Sequence, residues 1–363
     1  MMKAVYIHIP FCTHICHYCD FNKIYYHKLL VDRYLIALEK EIKQYYQGEL
    51  IKTIYIGGGT PTALNLNQLK TLFRLIKLFK LVPDGEFTIE CNPENTDESK
   101  LILFKQNNIN RLSIGVQTFN KKHLQFLGRQ HTNQEVKNLI KAAQQLGFDN
   151  ISVDLMYGFY QQSLINLKQD LKLILKYKIN HLATYSLNIE PHTQLFLKKI
   201  PFIDEKKELL MYNYICRILK KRGYQHYEIS NFSKPGYQSK HNLTYWDNEE
   251  YYGFGLGAHG YLNNIRYSNT KSITNYYMGH YRYKERKVTN QEQVENEMIL
   301  GLRKIMGINK IHFKNKYQQS IDTVFPSIYD LIKKGDLIDD GENIYIKEDK
   351  LYISNAILIN FIK

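Results

Sequence analysis

Cys12, Cys16 and Cys19 stand in the run Tyr6-Ile-His-Ile-Pro-Phe-Cys-Thr-His-Ile-Cys-His-Tyr-Cys-Asp-Phe21, a CxxxCxxC group directly behind a β-patterned stretch. Three thiolates on one tight loop can hold three irons of a cubane cluster and leave the fourth open to an outside ligand, whereas a four-cysteine pattern would close it. An open iron suggests chemistry rather than electron storage. Zinc on the three thiolates plus His14 or His17 is the competing reading. Structural zinc sites, however, usually carry a second ligand pair at a set distance, and none follows here. A disulfide framework fits less well: the chain has five cysteines, Cys91 and Cys216 are isolated, and the N-terminus does not resemble a signal peptide. Reduced thiols in the cytoplasm are the expectation.

A second group of residues could hold a small ligand beside such a cluster. Gly57-Gly-Gly-Thr-Pro61 follows a strand-like run, and glycine lets a backbone come close to a ligand because it has no Cβ. Alone, such a run is as often a plain turn. Next to the cysteine loop, it becomes a candidate for holding the amino and carboxylate ends of a cofactor. Glu90 and Asp154 can accept hydrogen bonds from an ammonium or from ribose hydroxyls, while Gln117 and Arg129 suit hydroxyl and carboxylate groups. Singly, each has an ordinary structural explanation; together on a ring of strand ends they favour a nucleoside or amino-acid ligand.

The elements that must position these residues alternate regularly. Strand-like runs at 4–9, 53–56, 87–90, 111–116, 151–156 and 181–187 are interleaved with helical periodicity at 29–46, 66–79, 133–146, 164–177 and 205–222. Such βα repetition predicts an α/β fold, a partial (β/α)6 TIM-type barrel with helices outside and its chemistry at the carboxyl ends of the strands. The core spans 1–225. A connecting region, 226–290, is rich in tyrosine and glycine, and 291–363 reads as a smaller α+β module whose hairpin, at 337–353, is winged-helix-like.

At 363 residues and 44% hydrophobic content the chain can bury a large core, and no apolar run approaches the ~20 residues of a membrane span. Lysine and arginine total 49 against 35 acidic residues, a net charge of +14. The excess is spread along the chain beside 30 tyrosines, with no nucleic-acid module, so a compositional bias explains it better than a nucleic-acid partner.

The ordered set CxxxCxYC, GGGTP, Glu-Cys-Asn-Pro, Arg111-Leu-Ser-Ile-Gly-Val-Gln117 and Leu127-Gly-Arg-Gln-His131 resembles the radical S-adenosylmethionine (SAM) superfamily. Within it the chain is most similar to the oxygen-independent coproporphyrinogen III oxidase-like family and its haem-chaperone branch. The resemblance runs from about residue 4 to the C-terminus. It implies that Cys12, Cys16 and Cys19 ligate a [4Fe–4S] cluster whose open iron takes the methionyl amine and carboxylate of SAM. It places Tyr6 and Tyr18 by the cluster and SAM, Gly58, Gly59 and Thr60 at the methionyl portion, and Glu90, Gln117, Arg129 and Asp154 at further SAM contacts. His8 also matches, and a packing role suits it equally.

Two departures separate the branches. The porphyrinogen oxidases carry another cysteine two residues after the third, where this chain has Phe21, and an N-terminal extension where only eleven residues precede Cys12. Downstream, Lys240-His-Asn-Leu-Thr-Tyr-Trp246 contains the HNxxYW pattern that the resemblance associates with haem binding. His241 would ligate iron, with Asn242, Tyr245 and Trp246 beside it; a satisfied histidine among core aromatics is the other reading. His226 and His259 are alternative axial ligands. The implied function is a haem chaperone that hands haem to an acceptor such as a membrane-bound respiratory protein, with transient contact to an anionic membrane surface. The alternative is oxidative decarboxylation of coproporphyrinogen III to protoporphyrinogen IX.

Overall fold

The computed structural model describes residues 2–362. Six parallel strands form its centre: β1 (Lys3–Ile9), β2 (Leu50–Gly58), β3 (Lys80–Cys91), β4 (Arg111–Gln117), β5 (Asn150–Tyr157) and β6 (His181–Ser186). They pair in sequence order. Between them the chain returns through helices α1 (Lys28–Tyr45), α2 (Leu66–Ile76), α3 (Glu98–Gln106), α4 (Lys121–Leu127), α5 (Asn133–Gln145) and α6 (Leu164–Ile174), and β6 leads on to α7 (Glu205–Lys221). Each of the six expected strands is present. The helix α3 was not anticipated, because its nine residues are too short to show a 3.6-residue period clearly.

Local signals account for the helix starts. α2, α5 and α6 each begin with a reciprocal capping box, Asn65 with Gln68, Thr132 with Glu135 and Ser163 with Asn166. These pairs satisfy backbone N–H groups that the first turn leaves without partners.

Strand alternation then sorts the side chains. Ile54 and Ile56 on β2, Phe87 and Ile89 on β3, Leu112, Ile114 and Val116 on β4, and Val153 and Leu155 on β5 belong to the apolar core shared with the helices. Their neighbours Tyr55, Glu90, Arg111, Ser113, Ser152, Asp154, Ala183 and Tyr185 line an internal cavity. Side chains on a strand change face at every residue, so one sequence supplies both an apolar jacket and a polar interior.

The sheet does not close. Beyond β6 it adds β8 (Asn231–Ser233) and then β7 (Gln225–Glu228), both antiparallel. Beyond β1 it adds β9 (Tyr251–Phe254), parallel, followed by antiparallel β10 (His259–Leu262), β11 (Ile265–Asn269) and β12 (Arg282–Lys287). The connecting region therefore extends both edges of one twelve-stranded sheet. Between these additions lies α8 (Lys240–Trp246), which carries the HNxxYW residues.

The C-terminal module pairs Leu337–Asp339 and Ile308–Asn309 with Asn343–Ile346, beside helices that include Asn290–Gly301 and Lys310–Tyr317. The expected hairpin is there, turning at Gly341 with φ of 98°. It ends earlier than 353, since Glu348–Ile353 is a 3₁₀ helix.

Candidate functional site

The loop after β1 is pinned at several points. Phe11–Cys12 pairs with Ile24–Tyr25, the Tyr26 amide donates to the Cys12 carbonyl at 2.8 Å, and the His17 amide to the Leu127 carbonyl at 2.9 Å. All three thiols thereby line one cleft of about 720 Å³ at the carboxyl ends of the strands. The cleft's other walls include Tyr18, Gly58, Gly59, Thr60, Glu90, Gln117, Arg129 and Asp154. Nine of the predicted residues besides the cysteines were placed around the cofactor. The eight just named meet here, while Tyr6 lies in an adjoining cavity that shares Gly58 and Glu90.

The thiols are not bare. Thr60 Oγ1 donates to Cys12 Sγ at 3.5 Å, and an Arg129 guanidinium nitrogen to Cys16 Sγ at 3.7 Å. Burial pushes the free Cys12 thiol up to about 11, and the Cys19 thiol is raised for the same reason. Metal binding must therefore supply the driving force for deprotonation. His17 Nδ1 bonds the Phe126 carbonyl at 2.9 Å, and His14 Nδ1 meets Gln130 at 3.1 Å. Among the described residues no three His, Cys, Asp or Glu side chains converge as ligands of one ion.

The glycines fit the close-approach role. A Cβ on Gly58, whose φ is 114°, would lie 2.5 Å from the His8 ring, and one on Gly59 would lie 2.9 Å from Cys12 Sγ. Their amides are used internally: Gly58 donates to Glu90 Oε2 at 3.0 Å and Gly59 to the Ile9 carbonyl at 2.9 Å. His8 is buried between Tyr6 and the Asn22 carbonyl, at 2.9 and 2.8 Å, which is the packing role.

Two carboxylates face the cavity. Glu90 accepts from Tyr55 Oη at 2.8 Å as well as from Gly58. Burial raises it to about 7, with Asp154 adding repulsion and the hydrogen bonds opposing. Asp154 rises to about 6, again chiefly through burial, with Arg111 and Ser113 opposing. Gln117 holds φ of 66°, a left-handed conformation rare for a buried non-glycine, at the very end of β4. Arg129 donates to the Gly115 carbonyl at 2.6 Å and to Asn92 Oδ1 at 3.1 Å. An ammonium, hydroxyls and a carboxylate would all find partners here, so the residues fit a cluster with SAM.

Sequence reasoning did not single out Tyr55, Asn92, Ser113 or Arg111. The alternation of polar and apolar residues in Arg111-Leu-Ser-Ile-Gly was the available signal. Arg111 is 2% exposed and its Nε has no hydrogen-bond partner among the described residues.

The HNxxYW residues lie deeper. Glu86 on β3 accepts from the amides of Lys240 and His241, both at 3.0 Å, and from Ser239 Oγ at 3.4 Å, fixing the start of α8. His241 is 1% exposed; its Nδ1 bonds Thr53 Oγ1 and its Nε2 bonds Tyr245 Oη, each at 2.8 Å. Burial depresses it to about 3, and Arg111 and Lys52 push the same way. Asn242 lines the barrel cavity and Tyr245 the cavity beside Tyr6. Trp246 points elsewhere, under the Arg303 guanidinium at 5.7 Å, with its Nε1 unpartnered among the described residues. The four are neighbours in sequence but not walls of one cavity.

Three thiols at the mouth of a parallel partial barrel, facing a glycine cradle and two carboxylates, define a radical SAM protein. The radical SAM superfamily model matches residues 6–174, and the HemN C-terminal domain model matches 288–349. The chain is 41% identical to heme chaperone HemW of Bacillus subtilis, with 99% of each chain covered. It is 40% identical to that of Lactococcus lactis over 99% of this chain and 97% of the relative, and 33% identical to that of Escherichia coli. Among solved structures, coproporphyrinogen III oxidase (HemN) from Escherichia coli superposes with a TM-score of 0.87 at 24% identity, covering 99% of this chain and 90% of that one. That likeness concerns the fold. The chain belongs to the HemW family of the radical SAM superfamily.

Proposed function

We propose that this protein is a haem chaperone that binds haem and passes it to an acceptor protein, carrying a [4Fe–4S] cluster with exchangeable SAM. What carries this reading is the full-length similarity, 41% over 99% of both chains, to a protein named as a heme chaperone. Phe21 in place of the oxidases' extra cysteine, and the HNxxYW residues of α8, agree with it.

When bound, the cluster supplies an iron that coordinates SAM and a route for one electron. The chain's own residues do the rest. Cys12, Cys16 and Cys19 hold the metal, with Thr60 and Arg129 donating to two of the sulfurs. Glu90 and Asp154 accept from the ligand's donors, and the glycines keep the cradle clear of side chains. Titrating the anaerobically reconstituted protein with hemin, then adding a haem-free acceptor, tests the proposal. Saturable uptake and transfer are expected, and absence of uptake with the cluster intact sinks it.

Oxidative decarboxylation of coproporphyrinogen III is the second reading, favoured by the internal cavity that opens beside the SAM residues. Anaerobic turnover with SAM and a reductant decides it, and no protoporphyrinogen IX is expected. The acceptor is proposed to be a membrane respiratory haem protein, reached from the cytoplasm. The net charge of +14 suits transient contact with anionic lipid, at ~1 kcal/mol per lysine near the surface. Co-sedimentation with anionic vesicles that weakens as salt rises is the expected result, and none at low salt removes the membrane from the scheme.

A further inference from the structure

Resting on the chaperone reading, the question is which imidazole could meet haem iron. Of the HNxxYW residues, His241 is the obvious candidate, yet both its nitrogens are taken and its ring is enclosed. Tyr55 stacks on it at 5.1 Å, and Tyr245 meets it edge-on at 5.0 Å. To ligate iron it would have to surrender a buried hydrogen bond to Thr53 or Tyr245 and leave the core. His8 is likewise held at both nitrogens.

His259 differs. It opens β10 after Gly257 and Ala258, is exposed, and its ring has no hydrogen-bond partner among the described residues. It lines a solvent-open cavity whose walls include Tyr6, Tyr245, Tyr251 and Lys271. Tyr245 and Tyr251 meet edge to face at 4.7 Å, so they present an aromatic corner to the space. Lys271 supplies an ammonium for a propionate carboxylate.

We infer that His259, not His241, is the axial ligand for haem, which lies in the cavity between Tyr245, Tyr251 and Lys271. His241 is a positioning residue: its Nε2 fixes the Tyr245 hydroxyl at 2.8 Å and so sets the phenol as a wall of that cavity. The HNxxYW helix thus serves haem from behind the wall. The same cavity touches Gly58 and Glu90, so haem and SAM would be near neighbours.

The test is an anaerobic hemin titration, followed by absorbance and electron paramagnetic resonance, of the cluster-reconstituted full chain and of His259→Ala and His241→Gln. His259→Ala is expected to lose the histidine-ligated spectrum and bind hemin roughly 100-fold or more weakly, with free imidazole restoring the spectrum. His241→Gln is expected to keep that spectrum and lose roughly 10-fold in affinity, the scale of a lost supporting contact. A wild-type spectrum in His259→Ala, or its loss in His241→Gln, overturns the assignment while leaving the chaperone reading intact. No uptake by the unsubstituted protein would instead sink the chaperone reading, and the assignment with it.

Discussion

At the residue scale, the site depends on atoms that are missing as much as on those present. Gly58 occupies a backbone conformation at φ of 114°, and the space a side chain would need is filled by His8, itself fixed by Tyr6 and Asn22. Gly58→Ala should therefore cost about 1–3 kcal/mol from backbone strain alone, more if the His8 ring has to move. It should also release Glu90 from the Gly58 amide and weaken SAM binding. Thermal melts of the apo protein, with SAM titration of the reconstituted form, check both effects; a variant with unchanged melting would mean the loop is more pliable than its geometry implies. The cysteine spacing and the glycine run were legible in the sequence because both are local. Arg111 was only half legible: the local alternation puts it on one face with Ser113, but does not say that this face turns inward to a cavity rather than outward to water.

At the element scale, α8 shows why motif and role can part. The sequence marks HNxxYW as a unit, and the structure divides it: His241 faces Thr53 and Tyr55, Tyr245 faces one cavity, Asn242 another, and Trp246 the C-terminal module's Arg303. Seven helical residues point around a full circle, so such a motif cannot describe a single wall. Its anchor, Glu86, lies 155 positions before His241, beyond the reach of any local pattern. The strands and capped helices, by contrast, followed from periodicity and short-range pairs such as Thr132 with Glu135. Glu86→Ala removes the acceptor for two amides, one of them buried, and a hydroxyl at the start of α8. A loss of about 2–4 kcal/mol in urea unfolding is expected, combining an N-cap with buried hydrogen bonds. Haem affinity should fall with it, because Tyr245 is carried by the same helix. Unchanged stability would mean that packing against β2 and β3 alone seats the helix.

At the scale of the whole molecule, buried titratable groups set the response to acid. Burial depresses His131 and His241 to about 3 and His226 to about 4, and holds His181 well below its ordinary value. Between those values and 6.5 the unfolded chain binds more protons at these sites. Their contribution to stability is thus complete above pH 6.5 and lost as pH falls through 4 to 3. Burial works the other way on carboxyls, raising Glu90 and Glu228 to about 7 and Asp154 and Asp170 to about 6. There the folded state binds more protons, so their contribution is complete below the ordinary carboxyl range and lost as pH rises through 6 to 7. The histidines and the carboxyls have opposite slopes between pH 4.5 and 6.5, so each set offsets part of the other. Stability of the apo protein should therefore change less across that window than either set alone would dictate. Glu228 sits apart from the SAM cleft, accepting from Asn231 and the Ser230 amide, and Glu228→Gln deletes one of the compensating carboxyls. Relative to the parent, the variant's stability should rise more steeply with pH between 4.5 and 6.5, by at most about one proton or ~1.4 kcal/mol per pH unit. Urea midpoints at half-unit pH steps measure this directly. A variant with the parent's slope would mean that Glu228 is ionised in the folded protein.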